Sequence, residues 1–163
     1  MLILRFIDPG ERVDADLSLV LDTFHHTPTI ASDRTFVPWY RFRMVHTRLG
    51  ITMGNISLRL GNTRHVLMYA GHIGYGVDPL YRGHRYAARA VTLLLPHALS
   101  HGINPIWITC NPDNAASRRT CEIAGGRLME IVNIPEDDAM YRAGERQKCR
   151  YRFDLVPAPA AKL

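Results

Sequence analysis

An α/β fold with a mixed sheet (α+β), mostly antiparallel and flanked by helices, is predicted by three features of this sequence. Residues 39 to 60 hold two runs of alternating apolar and polar side chains around Gly50, the pattern of antiparallel strands with one face on a core. Residues 70 to 102 run from an apolar strand through a basic, glycine-bearing loop directly into a helix. A short β-rich run at 106 to 110 then completes a strand, helix, strand order, which implies a right-handed parallel crossover. With 163 residues, 47% hydrophobic and 21% charged, the chain can build one sizeable core and not two comfortable domains. Residues 1 to 156 are therefore read as one domain, and 157 to 163, rich in proline and alanine, as a disordered tail.

Taken in order, residues 2 to 6 alternate weakly and stop at Asp8-Pro9-Gly10, a turn cluster, so they read as a first strand. From 11 to 24, Val13, Leu17, Val20, Leu21 and Phe24 recur at helical spacing and predict an amphipathic helix. Residues 25 to 38 contain two prolines and no clean period, and read as loop. Residues 39 to 47 and 51 to 60 alternate as strands, with Gly61-Asn62 as a hairpin turn into the next. That strand, 70 to 77, carries Ile73, Tyr75 and Val77 on one parity and is closed by Asp78-Pro79, since proline cannot donate to a ladder. Ala87, Val91, Leu94, Leu95 and Ala98 then recur at helical spacing up to a left-handed cap at Gly102. Residues 106 to 110 should be the parallel neighbour of 70 to 77. Asp113 or Asn114 caps a second helix that ends at Gly125-Gly126. Residues 127 to 133 read as strand, 135 to 147 as polar loop and 149 to 155 as a last strand.

Composition narrows the function. No apolar run approaches the length of a membrane span, and the opening Met1-Leu2-Ile3-Leu4 is cut off at Arg5 before a signal-peptide core forms. Three scattered cysteines, Cys110, Cys121 and Cys149, show no metal spacing and suit a reducing compartment, so a cytoplasmic protein is expected. The closing Ala-Lys-Leu resembles a relaxed peroxisomal address, a three-residue match of the size chance produces. A net charge of +5 invites nucleic acid, but 15 acidic residues are interspersed and no Lys/Arg block appears. Only two of the 20 basic residues are lysines, Lys148 and Lys162, so the excess is almost wholly of the forked, phosphate-matching kind.

The organising feature is the joint at 78 to 89. A helix N-terminus opens there after Arg82, His84 and Arg85, with Arg89 one turn on. Free amides, the positive end of the helix dipole and arginines together suit a phosphate, and a solvated basic turn capping a core helix fits the same residues. A longer stretch bears on the choice. Arg82-Gly83-His84-Arg85-Tyr86-Ala87 resembles the acyl-CoA pyrophosphate loop of the GNAT acyltransferase superfamily, with Arg85 where that pattern has its central glycine. Asn114-Ala115-Ala116-Ser117, leading to Cys121-Glu122-Ile123-Ala124-Gly125, resembles the superfamily's second motif, with Cys121 in the place of its tyrosine. Residues 71 to 75 and 109 to 126 further resemble a branch of uncharacterised predicted acetyltransferases.

The resemblance implies an N-acetyltransferase with a central sheet splayed at one parallel strand pair, acetyl-CoA or coenzyme A as co-substrate and no metal. It implies that the backbone N–H of Tyr75 polarises the thioester carbonyl, with Gly76 and Val77 along the pantetheine arm. The loop formed by Arg82, Gly83, His84, Arg85, Tyr86, Ala87 and Ala88 would take the pyrophosphate, and Asn114 and Ser117 would hold the arm from the other side. Cys121 falls in the general-acid position, where a thiol with an ordinary pKa of about 8.5 can protonate a thiolate and a buried cysteine packing helix on sheet is the other reading. The strand positions where relatives carry a base are Gly71 and Ile73, which cannot titrate; His72 lies on the opposite parity and reads as structural.

The acceptor is expected to be a small-molecule or peptide amine, with His25, His26, Asp33, Trp39 and Tyr40 as candidate contacts. A homodimer is an expected assembly; a membrane or nucleic-acid partner is not. Two other readings compete. One is a catalytically degenerate CoA-binding or sensory module, suggested by Arg85 and Cys121; the other is a small basic nucleic-acid-binding protein, which lacks aromatic interleaving of its basic residues.

Overall fold

Hydrogen bonding sorts the strands into two sheets. The computed structural model describes residues 1 to 26 and 37 to 156. A five-stranded antiparallel sheet runs in chain order, β1 (Arg12–Asp14), β2 (Leu17–His25), β3 (Trp39–His46), β4 (Thr52–Arg59) and β5 (Ile73–Val77). A three-stranded sheet has the order β6 (Ile106–Cys110), β8 (Gln147–Phe153), β7 (Arg127–Asn133). Helix α1 (Tyr86–Ser100) joins β5 to β6, α2 (Ala115–Ile123) joins β6 to β7, and a single turn α3 (Ala139–Arg142) lies in the β7–β8 connection otherwise expected as loop. The β5–β6 pair is joined by His72 N–H to Trp107 C=O at 2.7 Å and by the Trp107 N–H to His72 Nδ1 at 2.9 Å. Beyond that point the two strands belong to different sheets, so the expected parallel neighbours are splayed.

The expected helix over 11 to 24 is instead the β1–β2 hairpin, turning through Ala15 at φ +50°. Leu17, Leu19 and Leu21 pair with His46, Met44 and Phe42, and an extra residue, Asp22, is inserted before Thr23 pairs with Arg41. That bulge re-phases the strand so that Phe24 lands opposite Tyr40 on the same face. The apolar spacing 17, 21, 24 thus imitates a helix while belonging to a bulged strand. Residues 2 to 6, expected as a first strand, form no ladder. They are tethered instead by Ile3 N–H to the His101 carbonyl at 2.9 Å and His101 Nδ1 to the Ile3 carbonyl at 2.6 Å. The β4–β5 connection is not a tight Gly61-Asn62 hairpin, because a π-helical turn, Val66–Ala70, intervenes and delays the strand from residue 70 to Ile73.

One apolar core lies between the sheets and α1. Leu17, Tyr40, Phe42, Met44, Ile56 and Leu58 from the larger sheet meet Ala90, Val91, Leu94 and Ala98 of α1, with Ile106, Ile108, Tyr151 and Phe153 from the smaller one. Gly71, at φ +72°, permits the close approach of the two sheets, since a Cβ there would stand 3.0 Å from the Thr109 nitrogen. Among the described residues no helix is long and apolar enough to cross a membrane.

Candidate active site

The free edge of β5 is the first wall of the site. As the last strand of its sheet, β5 pairs, among the described residues, with β4 alone. The His72 carbonyl accepts from Arg59 N–H at 2.7 Å and Asp78 N–H donates to Met53 C=O at 2.8 Å, so even-numbered residues turn their backbone groups to β4. By the period of two, the Tyr75 N–H and Val77 carbonyl face the open edge. Consistent with that, the Val77 carbonyl accepts from Arg82 Nε at 3.0 Å.

The second wall is the start of α1. Its N-cap, Arg85, makes no side-chain cap, the first turn holds no acidic residue, and the first helical bond runs from Arg89 N–H to the Arg85 carbonyl at 3.0 Å. The Tyr86, Ala87 and Ala88 amides therefore have no helical acceptor, the condition under which a helix start receives an anion. Arg85 adopts φ +59°, ψ +22°, and Gly83 φ +86°, so the loop makes two left-handed steps before the helix begins. Arg85 sits one position before the first helical turn, so it lacks the negative φ of a residue inside that turn and retains the backbone suited to glycine.

The third wall is α2, capped by Asn114, whose Oδ1 accepts from Ser117 N–H at 3.0 Å. Together the walls enclose a cleft of about 620 Å³, lined by Tyr75, Gly76, Val77, Arg82, Gly83, Arg85, Tyr86, Ala87, Ala88, Asn114 and Ser117 among others. Eleven of the twelve cofactor-binding residues expected from the sequence are thus brought to one cleft. The exception is His84, whose imidazole Nδ1 turns back toward the Tyr81 and Arg82 carbonyls at 3.3 and 3.1 Å. Arg89 also departs from the expected basic cluster, since it binds Asp14 and Asp16 at 2.6 and 2.7 Å. Reading the sequence missed Ala116, Arg119, Thr120 and Ile123, which line the same cleft. Their helical spacing alongside Asn114 and Ser117 was the available signal.

At the inner end, the Tyr75 hydroxyl lies 2.9 Å from Ser117 Oγ, 3.3 Å from the Ser117 carbonyl and 3.6 Å from Cys121 Sγ. Cys121 itself is fully buried behind this pair and does not open onto the cleft. Burial, together with the neighbouring Cys121, pushes the Tyr75 phenol far above its ordinary range, so it stays protonated. The Cys121 thiol is likewise driven up, by its hydrogen bond with Cys110 and by burial. His72 is a core residue, fully buried, with Nε2 2.9 Å from Asn62 Oδ1.

A family model of the GNAT acetyltransferase domain matches residues 11 to 127. This chain belongs to the GNAT acetyltransferase family. Solved GNAT structures share the fold at low identity. An acetyltransferase of the GNAT family from Bacillus anthracis is 21% identical, with a TM-score of 0.54 over 70% of this chain and 65% of that one. The microcin C7 self-immunity acetyltransferase MccE, in complex with acetyl-CoA and AMP, is 18% identical, TM-score 0.55, over 72% and 61%. RimL, a ribosomal L7/L12 α-N-protein acetyltransferase in complex with coenzyme A, is 18% identical, TM-score 0.56, over 72% and 62%. The chain thus spans less than two thirds of the length of each of these relatives. Among curated proteins the chain has no match.

Of the expected acceptor contacts, Tyr40 is wholly in the core, where its hydroxyl bonds the Ile7 backbone. His25 stacks on Trp39 with ring centroids 4.0 Å apart, His26 is exposed, and Asp33 lies outside the described residues.

Proposed function

We propose that this GNAT chain transfers an acetyl group from acetyl-CoA to a primary amine by direct attack within a ternary complex. The observation that carries the reading is the uncapped α1 N-terminus opening, with Arg82 and Arg85, onto the cleft beside the free edge of β5. MccE with acetyl-CoA and RimL with coenzyme A support the choice of co-substrate. When bound, the cofactor supplies the activated thioester. The amides of Gly83 to Ala88 and the guanidiniums of Arg82 and Arg85 hold its pyrophosphate. Gly76 and Val77 on one side and Asn114 and Ser117 on the other hold its arm.

The Tyr75 N–H stabilises negative charge developing on the carbonyl oxygen. The hydroxyl of the same residue, kept protonated and aligned by Ser117, donates to the leaving sulfur in place of the buried Cys121 and recovers a proton from solvent, to which the amine nitrogen gives up its own as the amide forms. Gly71 and Ile73 offer no base, so the acceptor amine must arrive neutral, and the rate should rise with pH through the amine's own pKa. The same absence favours the second reading, a CoA-binding module without turnover.

The experiment is a thermal-shift and calorimetric titration with CoA, followed by thiol release from acetyl-CoA across a panel of amines. Stabilisation by CoA together with amine-dependent thiol release is the expected result. No binding overturns both readings; binding without release for any amine leaves the module.

A further inference from the structure

The cleft leaves one cluster of polar residues unexplained. Tyr40, Phe42, Ile56 and Leu58 point into the core, so Trp39, Arg41 and Arg43 of β3 and Asn55, Ser57 and Arg59 of β4 point to the opposite face of the sheet. There Trp39, Arg41, Asn55, Ser57 and Arg59 line a hollow of about 420 Å³. Among the described residues its charge is unbalanced. Arg41 and Arg43 share one carboxylate, Asp22, at 3.9 Å each. Arg59 donates to the Ala70 and Gly71 carbonyls at 3.4 and 3.2 Å and has no carboxylate partner among the described residues. A half-buried guanidinium without a counter-charge is costly to hold, and an anion placed beside it offsets that cost.

The hollow also adjoins the reacting edge. Ser57 and Asn55 stand opposite Gly74 and Gly76 of β5. A Cβ at Gly76 would meet nothing within 4 Å, and one at Gly74 would first meet the Arg59 guanidinium at 3.6 Å. On this face, then, β5 presents no side chain between the hollow and the edge where the Tyr75 N–H lies. Strands lie about 4.8 Å apart, so groups over β4 and β3 sit roughly 5 to 10 Å from that edge.

We propose that this hollow is the acceptor subsite, and that it selects amines carrying a carboxylate or phosphate at that distance from the reacting nitrogen, as an acidic residue beside a peptide N-terminus does. The proposal rests on the acetyl-transfer reading above and names its substrate class. Arg41 and Arg59 pair with the anion, while Asn55 and Ser57 supply neutral hydrogen bonds. The two glycines leave the path to the thioester open.

The test compares initial rates at saturating acetyl-CoA for Ala-Asp-Ala-amide, its phosphoserine counterpart and the neutral Ala-Asn-Ala-amide. The acidic peptides should show a KM lower by about tenfold, an advantage that shrinks in roughly 0.5 M salt. The two acidic arms separate carboxylate from phosphate selectivity. Arg41→Gln, at an exposed position, should raise the KM of the acidic peptides to that of the neutral one; Arg59→Gln should do the same but also loosens the turn at Ala70 and Gly71. Equal KM values, or a preference that survives Arg41→Gln, would overturn the proposal while leaving acetyl transfer intact. If CoA binds but no peptide is turned over, calorimetry of Ala-Asp-Ala-amide against the CoA-loaded protein decides: heat lost in Arg41→Gln supports the subsite, and no heat with either protein refutes it. Absence of CoA binding would instead refute the acetyl-transfer reading.

Discussion

Arg85 holds a backbone that L-residues adopt at a cost of about 1 kcal/mol or somewhat more. It does so at the mouth of the cleft, where its guanidinium adds charge to the uncapped amides of α1. Arg85→Gly should therefore separate two effects. Stability of the free protein should rise by about 1 kcal/mol, read from urea unfolding, while CoA binding should weaken by a factor attributable to one charge-assisted contact. Tighter CoA binding by the glycine variant would show that the arginine obstructs the loop. Tyr75 lends itself to the same kind of separation. Tyr75→Phe keeps the backbone N–H and removes only the hydroxyl that meets Ser117, so kcat should fall at least tenfold with CoA affinity nearly unchanged. The resemblance, counted back from Arg82, named the Tyr75 N–H, and the pairing of β5 with β4 leaves that N–H on the open edge. The partner of its phenol was not legible, because Ser117 is 42 residues away and only the packing of α2 across the cleft brings the two together.

At the scale of elements, α1 was readable from its apolar period and the cap at Gly102, and α2 from its caps at Asn114 and Gly125. The β1–β2 hairpin was not, since the bulge at Asp22 gives a strand the spacing of a helix, and pairing with β3 decides between them. Nor could sequence separate the four basic residues near the loop. Arg89 is taken by Asp14 and Asp16 of the hairpin, an element misread as helix, and so fixes the position of α1 without facing the cleft. The cap of α2 yields a prediction of its own. Asn114→Ala removes the acceptor for the Ser117 amide and should cost about 1 kcal/mol, whereas Asn114→Asp preserves the cap. If the Asn114 amide also faces the pantetheine arm, the aspartate variant will unfold like the wild type in urea yet bind CoA more weakly. Equal CoA affinity in the wild type and the aspartate variant would remove Asn114 from the binding set.

The whole molecule is two sheets and an N-terminal strap joined through buried imidazoles, and this makes its stability depend on pH. His72, between the sheets, accepts from the Trp107 N–H at Nδ1, so its neutral form donates from Nε2 to Asn62; protonation would set two donors against each other. Burial is the main cause that lowers its pKa to about 4. His97 also falls to about 4, through burial and then its neighbour His101, and its Nε2 has no hydrogen-bond partner among the described residues. Burial lowers His101 as well, against the opposing bond to Ile3. Since these bases bind protons more weakly folded than unfolded, their contribution is complete above about pH 6.5 and is lost as pH falls; for His72 and His97 the loss runs down toward about 4, each with a slope of about 1.4 kcal/mol per pH unit. Asp16, held down to about 2 chiefly by Arg89, loses its contribution only at lower pH, so the two effects do not overlap. The urea midpoint should therefore drop steeply between pH 6.5 and 4.5. His97→Leu, which removes a buried titrating ring without breaking a bond at Nε2, should flatten that slope by roughly one proton's share. A midpoint that stays constant over the window would mean that the histidines titrate freely in the folded protein and that the packing described for them is wrong.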